Sequence, residues 1–78
     1  MTELRVYINP AGTPDARTVF YSRRADGPYY RWQYEEGGEL WCASRVRLSN
    51  PTLRALCVAS WQSVPTTLQA RLANHYLE

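Results

Sequence analysis

Lysine is absent from the 78-residue sequence, so its nine Lys-or-Arg positions are all arginine, set against seven acidic residues for a formal net charge of +2. A charge this small does not by itself indicate binding to a polyanion. Guanidinium groups stack on aromatic rings and bind carboxylate or phosphate through paired hydrogen bonds, which an ammonium group does not do. The arginine-only composition therefore suits an interaction surface, although a GC-rich genome would produce the same bias.

Cysteine and histidine are also scarce. The two cysteines, Cys42 and Cys57, do not form a C-x-x-C pair, and His75 has no metal-ligand spacing to either of them. We therefore expect no metal site and no cofactor. Both thiols are expected to be small buried side chains, and His75 is expected to be a solvated side chain near a helix end.

Long apolar runs are missing as well. No stretch of the sequence approaches the roughly 18 apolar residues of a membrane span. No apolar core of a signal peptide follows the first residues of the chain. These absences predict a cytoplasmic protein with reduced thiols and without a membrane partner.

The sequence also lacks the patterns of common catalytic sites. Neither of the glycine-rich phosphate-binding motifs, G-x-G-x-x-G and G-x-x-x-x-G-K-[ST], is present. Glu35, Glu36 and Glu39 surround a turn, where acidic side chains keep a hairpin tip soluble. No nucleophile with a nearby base is indicated, so we predict that the protein is not an enzyme.

The residues that are present predict one small α+β domain over 1–78, with a sheet over 3–47. Residues 4–8 alternate strictly between apolar and polar, which predicts a first strand. Three further segments have strand composition and are separated by Pro- and Gly-containing loops. These three segments cover 17–24, 29–36 and 39–47.

Beyond the fourth strand the apolar period changes from two to 3.6, which predicts helices. Ser49 or Asn50 can cap a helix over 50–64, with Pro51 in its first turn. A second helix is predicted over 66–77. The expected fold is a four-stranded antiparallel meander followed by two C-terminal helices packed on one face (ββββαα).

The helix predicted over 50–64 has too few charges for a helix that is bathed in water on one side. The face away from its apolar stripe contains Ala55, Val58, Ala59 and Gln62. Either the second helix or a second subunit would cover these residues. A chain this short has a small core, so oligomer formation is expected to contribute to its stability.

Two-residue turns at Asp26-Gly27 and Gly37-Gly38 would fix which strand side chains share a sheet face. The aromatic-rich face would then contain Val19, Tyr21, Arg23, Tyr30, Trp32, Tyr34, Trp41, Ala43 and Arg45. The favoured interpretation buries this face against the helices. Two alternatives are that it is exposed as a stacking platform for bases, or that a bulge shifts the register.

Whether the aromatic-rich face is buried or exposed, the sheet face that remains open has arginines between aromatic rings. The candidate surface residues are Arg5, Tyr7, Arg24, Tyr29 and Arg31, together with Arg23 and Arg45. Arg and Tyr are enriched in interaction hot spots, although cross-strand Arg–Tyr pairs also simply stabilise sheets. We predict a small non-enzymatic interaction or adaptor protein that acts through protein–protein contacts as a homodimer or assembly subunit. The alternative is a module that binds single-stranded DNA or RNA.

Overall fold

The fold is a five-stranded antiparallel sheet in which four consecutive strands are joined by a short fifth strand from later in the chain. The computed structural model describes residues 3–13, 16–38 and 40–77. Within them the elements are, in chain order, β1 (Leu4–Ile8), β2 (Val19–Arg24), β3 (Tyr29–Glu35), β4 (Leu40–Val46), α1 (Asn50–Ala55), β5 (Cys57–Ala59), a 3₁₀ helix (Trp61–Ser63) and α2 (Thr66–His75). The strands pair antiparallel in the order β4-β3-β2-β1-β5, and α2 packs across one face.

The predicted α+β class and the meander of the first four strands are confirmed. The register predicted between β3 and β4 is also correct, since Trp32 lies opposite Ala43. The helix α2 lies within the second predicted helix, and its Leu68 and Leu72 are fully buried. Ser49 caps α1, because its side chain accepts a hydrogen bond from a backbone N–H of the first turn.

The helix predicted over 50–64 is wrong beyond its first six residues. The helix α1 ends at Ala55, and Leu56 is extended, with φ −74° and ψ 147°. The next residues form β5, in which Ala59 pairs with Val6 of β1. Without β5, the outward N–H and C=O groups of β1 would form an unpaired sheet edge. Strand pairing outweighs a helical preference that is weak in each residue.

The register predicted between β2 and β3 is wrong by one residue. Phe20 pairs with Trp32 and Ser22 pairs with Tyr30, where the two-residue turn required Tyr21 opposite Trp32. Because the side-chain period of a strand is two, this shift turns every side chain of β2 to the other face.

The turn between β2 and β3 explains the shift. Extending the observed register places Pro28 opposite Arg24, and a proline has no N–H to donate across the pair. The N–H of Gly27 donates to the Arg24 carbonyl oxygen instead, at 2.7 Å. Ala25 takes a left-handed conformation with φ 44°. The loop is therefore one residue longer than the Asp26-Gly27 signal predicts.

The face of the sheet that α2 covers is the core face. Trp32 and Trp41 are 2% and 3% exposed there, so the predicted burial of the two rings is correct. Tyr30 and Tyr34 are partly buried beside them. Phe20 joins the core in place of Tyr21, and its ring meets Trp41 edge-on with centroids 5.4 Å apart.

Hydrogen bonds connect the buried indoles to their surroundings. Trp32 Nε1 donates to Ser22 Oγ at 2.9 Å, and Ser22 Oγ lies 2.9 Å from the Tyr76 hydroxyl. Trp41 Nε1 donates to Thr67 Oγ1, also at 2.9 Å. Burial, more than its other contacts, raises the pKa of Tyr76 above the ordinary tyrosine value. These bonds join three strands to the C-terminal helix.

Candidate interaction surface on the outer sheet face

The outer face is the side of the sheet opposite α2. Alternation along the strands and the observed registers define its members. They are Arg5, Tyr7, Val19, Tyr21, Arg23, Tyr29, Arg31, Gln33, Glu35, Leu40, Cys42, Ser44, Val46 and Val58. Five of the seven candidate surface residues lie on this face: Arg5, Tyr7, Arg23, Tyr29 and Arg31.

Arg23, Tyr29 and Tyr7 form a connected cluster on this face. The Arg23 guanidinium carbon lies 4.6 Å from the centre of the Tyr29 ring, and Arg23 Nη1 donates to the Tyr29 hydroxyl at 3.0 Å. The rings of Tyr7 and Tyr29 are inclined by 55° with centroids 6.0 Å apart. The hydrogen bond to Tyr29 raises the pKa of Arg23, so the cluster carries a fixed positive charge.

Tyr21 occupies the middle of the outer face, in register with Tyr7 on one side and Arg31 on the other. It is only 9% exposed although no helix covers it among the residues that the structure describes. The sequence-based register assigned Tyr21 to the core face and so missed it. The signal that would have corrected this was Pro28, directly after the Asp-Gly pair.

Two further arginines adjoin the cluster. Arg31 Nη1 donates to Gln33 Oε1 at 2.8 Å, which orients its guanidinium along β3. Arg5 Nε lies 3.8 Å from the Glu3 carboxylate, and both side chains are more than half exposed. An exposed pair of this kind contributes little to stability, so the Arg5 guanidinium can exchange Glu3 for an external carboxylate.

The other two predicted arginines lie elsewhere. Arg24 is on the core face, where Arg24 Nη2 donates to the Tyr76 carbonyl oxygen at 2.7 Å and the guanidinium lies 5.2 Å from the Tyr76 ring. It therefore clamps the end of α2 to the sheet, and its assignment to the open face was wrong because β2 is shifted. Arg45 also points to the core side of its strand, opposite Tyr30, and is exposed at the sheet edge.

The predicted covered helix face does not exist, because its four residues are distributed over three elements. Ala55 ends α1 and is exposed, and Gln62 lies exposed in the 3₁₀ helix. Val58 and Ala59 occupy opposite faces of β5. Ala59 packs against the core, whereas Val58 is 67% exposed on the outer face.

The cysteines also differ from expectation, whereas His75 is exposed at the end of α2 as predicted. Cys42 and Cys57 are both exposed, so the prediction that they are buried is wrong. Cys42 donates a hydrogen bond to Glu35 Oε1 at 3.3 Å, and this bond raises the pKa of the thiol. A raised pKa leaves less of the nucleophilic thiolate at neutral pH. His75 is exposed, but its ring meets Tyr30 edge-on with centroids 4.4 Å apart.

Within residues 3–13, 16–38 and 40–77, no three His, Cys, Asp or Glu side chains are grouped so that they could hold a metal ion. In the same ranges, no helix has the length and apolarity that crossing a membrane requires. Comparison of the chain with protein-family models, curated proteins and solved structures found no match. Its function is therefore inferred from the geometry of the outer face.

Proposed function

We propose that this chain is a small non-enzymatic interaction protein whose outer sheet face binds a protein partner that presents carboxylate groups. The observation that carries the proposal is the Arg23–Tyr29–Tyr7 cluster, which is half-buried and held in place by its own contacts. Arg and Tyr dominate interaction hot spots, where rigid rings and forked donors bind without a large loss of conformational freedom. Arg5 and Arg31 extend the same surface.

The mixed charge of the surface favours a protein partner over nucleic acid. Glu3 accompanies Arg5, and Asp26 lies 4.0 Å from Arg23. A phosphate backbone would meet an acidic group beside Arg5 and beside Arg23, whereas a protein surface of mixed charge can complement both signs. Binding to nucleic acid draws its affinity from phosphates that basic side chains neutralise.

The surroundings of the aromatic rings also favour a protein partner over nucleic acid. Stacking of a base needs a free aromatic face. One face of the Tyr29 ring is already covered by Arg23, and Tyr7 is inclined against it. The two tryptophans of the sheet, Trp32 and Trp41, are buried on the core face, so neither is a stacking platform.

The test is charge reversal on the outer face with a matched control. Arg5→Glu and Arg31→Glu should each weaken binding of the partner, recovered by affinity purification and then titrated, by about tenfold. Arg54→Glu changes the same charge on exposed α1 and should leave the affinity unchanged. Equal affinities for all three variants would overturn the proposal.

The nucleic-acid alternative has its own measurement. Because Trp32 and Trp41 are buried on the other side of the sheet and Trp61 lies outside the sheet in the 3₁₀ helix, intrinsic tryptophan emission is a poor probe of a ligand on the outer face. Anisotropy of a labelled single-stranded oligonucleotide does report on it. Binding that falls steeply with salt and is lost in Arg31→Glu would favour the nucleic-acid function instead.

A further inference from the structure

Strand β4 is a long edge strand that is open to solvent. It contains seven residues, whereas β5 at the opposite edge contains three. Natural edge strands avoid pairing with another chain by being short or by carrying charged residues, proline or a bulge. The one charged residue of β4 is Arg45, which is next to its C-terminal end. The sequence of β4, LWCASRV, contains neither lysine nor proline, and Trp41 is its only buried side chain. The edge is therefore competent to pair with a further strand.

The hydrogen-bond pattern of the sheet identifies the groups that β4 offers. The N–H of Tyr34 donates to Thr18 at 3.0 Å, so the backbone of Tyr34 points toward β2 and away from β4. In antiparallel pairs these directions alternate along the strand, and the register then fixes them for β4. The outward-pointing N–H and C=O groups are those of Trp41, Ala43 and Arg45.

We propose that β4 pairs antiparallel with β4 of a second copy of this chain, with the two-fold axis at Ala43. This register uses all of the outward-pointing groups. It also places Leu40 of each copy opposite Val46 of the other on the outer face. Leu40 is 56% exposed in the single chain and is one of its few exposed large apolar side chains. This inference goes beyond the proposed function and does not depend on it.

The charges at the two ends of β4 complement each other in this arrangement. A shallow groove of about 620 Å³ at the C-terminal end of β4 is lined by two arginines, Arg45 and Arg47, and by Pro28, Tyr29, Val46 and Leu48, with no acidic residue among the described ones. Antiparallel pairing brings the β3–β4 turn of the second copy beside Arg47 and Leu48, on the free-edge side of this groove. That turn follows Glu35 and begins with the exposed Glu36. Opposite charges therefore meet at both ends of the paired strands.

One contact of the single chain is compatible with the pairing. Arg71 Nε donates to the Trp41 carbonyl oxygen at 3.3 Å. A backbone carbonyl oxygen has two lone pairs, so it can accept a second hydrogen bond from the N–H of Arg45 in the other copy. Both copies of α2 lie on the same side of the joined sheet, and the two outer faces stay open on the other side.

The first test is Ala43→Pro, measured by sedimentation equilibrium. Because the Ala43 N–H points away from β3, the substitution removes no hydrogen bond within the chain, and proline is tolerated at such edge positions. It removes one donor from each copy, so the dimer Kd should rise about tenfold or more. Ala43→Val retains the N–H and should dimerise like the natural chain.

The second test introduces a pair of opposite charges in place of two apolar residues, and it does not depend on whether Ala43→Pro folds. Leu40 and Val46 lie at opposite ends of β4 and meet only between copies. Leu40→Arg and Val46→Glu should each shift the protein toward monomer. The double variant should regain the dimer, because the introduced guanidinium of one copy then faces the introduced carboxylate of the other across the interface.

Three results would overturn the inference. A natural chain that stays monomeric at high concentration would exclude the dimer. A dimer whose Kd is unchanged by Ala43→Pro would place the interface elsewhere. A dimer that is lost in both single variants and not regained in the double variant would exclude this register. Loss of the dimer with partner binding intact would leave the proposed function standing.

Discussion

Removal of one buried hydroxyl group should destabilise the fold more than its size suggests. Ser22 is fully buried, and its Oγ is the acceptor for the Trp32 indole N–H and the neighbour of the Tyr76 hydroxyl, each at 2.9 Å. Ser22→Ala leaves the indole N–H without an acceptor in a position that water does not reach. A buried polar group without a partner costs about 1–3 kcal/mol.

The expected magnitude follows from these two contacts. Tyr76 is only partly buried, so its hydroxyl recovers some hydration, and the total loss in the free energy of unfolding should be about 2–4 kcal/mol. For a domain of this size that corresponds to a fall in Tm of about 10 to 25 °C. Chemical denaturation followed by circular dichroism measures the loss directly.

A matched control distinguishes the effect of breaking the buried hydrogen bonds from the general effect of replacing a serine in a strand. Ser44→Ala removes the same group from the exposed outer face of β4 and should change the free energy of unfolding by less than about 0.5 kcal/mol. Tyr76→Phe should cost less in the Ser22→Ala background than in the natural chain, because the two hydroxyls are coupled. If Ser22→Ala costs no more than Ser44→Ala, the network does not hold the sheet to α2.

Three further predictions concern single residues. Gly27→Ala should destabilise the fold by about 1–3 kcal/mol in a urea titration, because the added Cβ would lie 2.9 Å from a backbone carbonyl oxygen. The control is Gly37→Ala, whose Cβ would meet nothing within 4 Å and which should be nearly neutral. Equal effects of the two substitutions would contradict the loop geometry. Because burial raises the pKa of Tyr76, the folded chain holds the hydroxyl proton more tightly than the unfolded chain does, and the free energy of unfolding should fall as the pH rises above about 10. This fall should be shallower in Tyr76→Phe. If the free energy of unfolding depends on pH equally in both proteins, Tyr76 is not the group responsible. Cys42 should react faster with a disulfide reagent after Glu35→Ala, because its thiol pKa is raised by the bond to Glu35; an unchanged rate would exclude that bond in solution.

Much of the sheet is predictable from the sequence because local patterns determine it. The strict alternation of Leu4–Ile8 is enough to define β1, and the Gly37-Gly38 turn sets the register that places Trp32 opposite Ala43. The stripe containing Leu68 and Leu72 likewise predicts α2. In these segments propensity, periodicity and turn chemistry agree.

The errors arise where a distant partner or a single backbone group decides the structure. The run Cys57–Ala59 becomes a strand because β1 needs a neighbour, which no short window of sequence shows. Pro28 lengthens a turn by one residue, and this moves Tyr21 and Arg23 to the outer face and Arg24 to the core face. Five of the seven candidate surface residues therefore lie on the outer face, whereas Arg24 and Arg45 do not, and its central residue, Tyr21, was missed.

The central claim is that the outer face binds a protein. The most direct measurement is photo-crosslinking in cells, with a photoreactive phenylalanine analogue at Tyr7 on the outer face and, as control, at Trp61, an aromatic residue 44% exposed in the 3₁₀ helix. We predict a discrete adduct from position 7 that is sensitive to protease, resistant to nuclease and strongly reduced when Arg31→Glu is added. No adduct at position 7, an equal adduct at position 61, or an adduct that nuclease removes would contradict the claim.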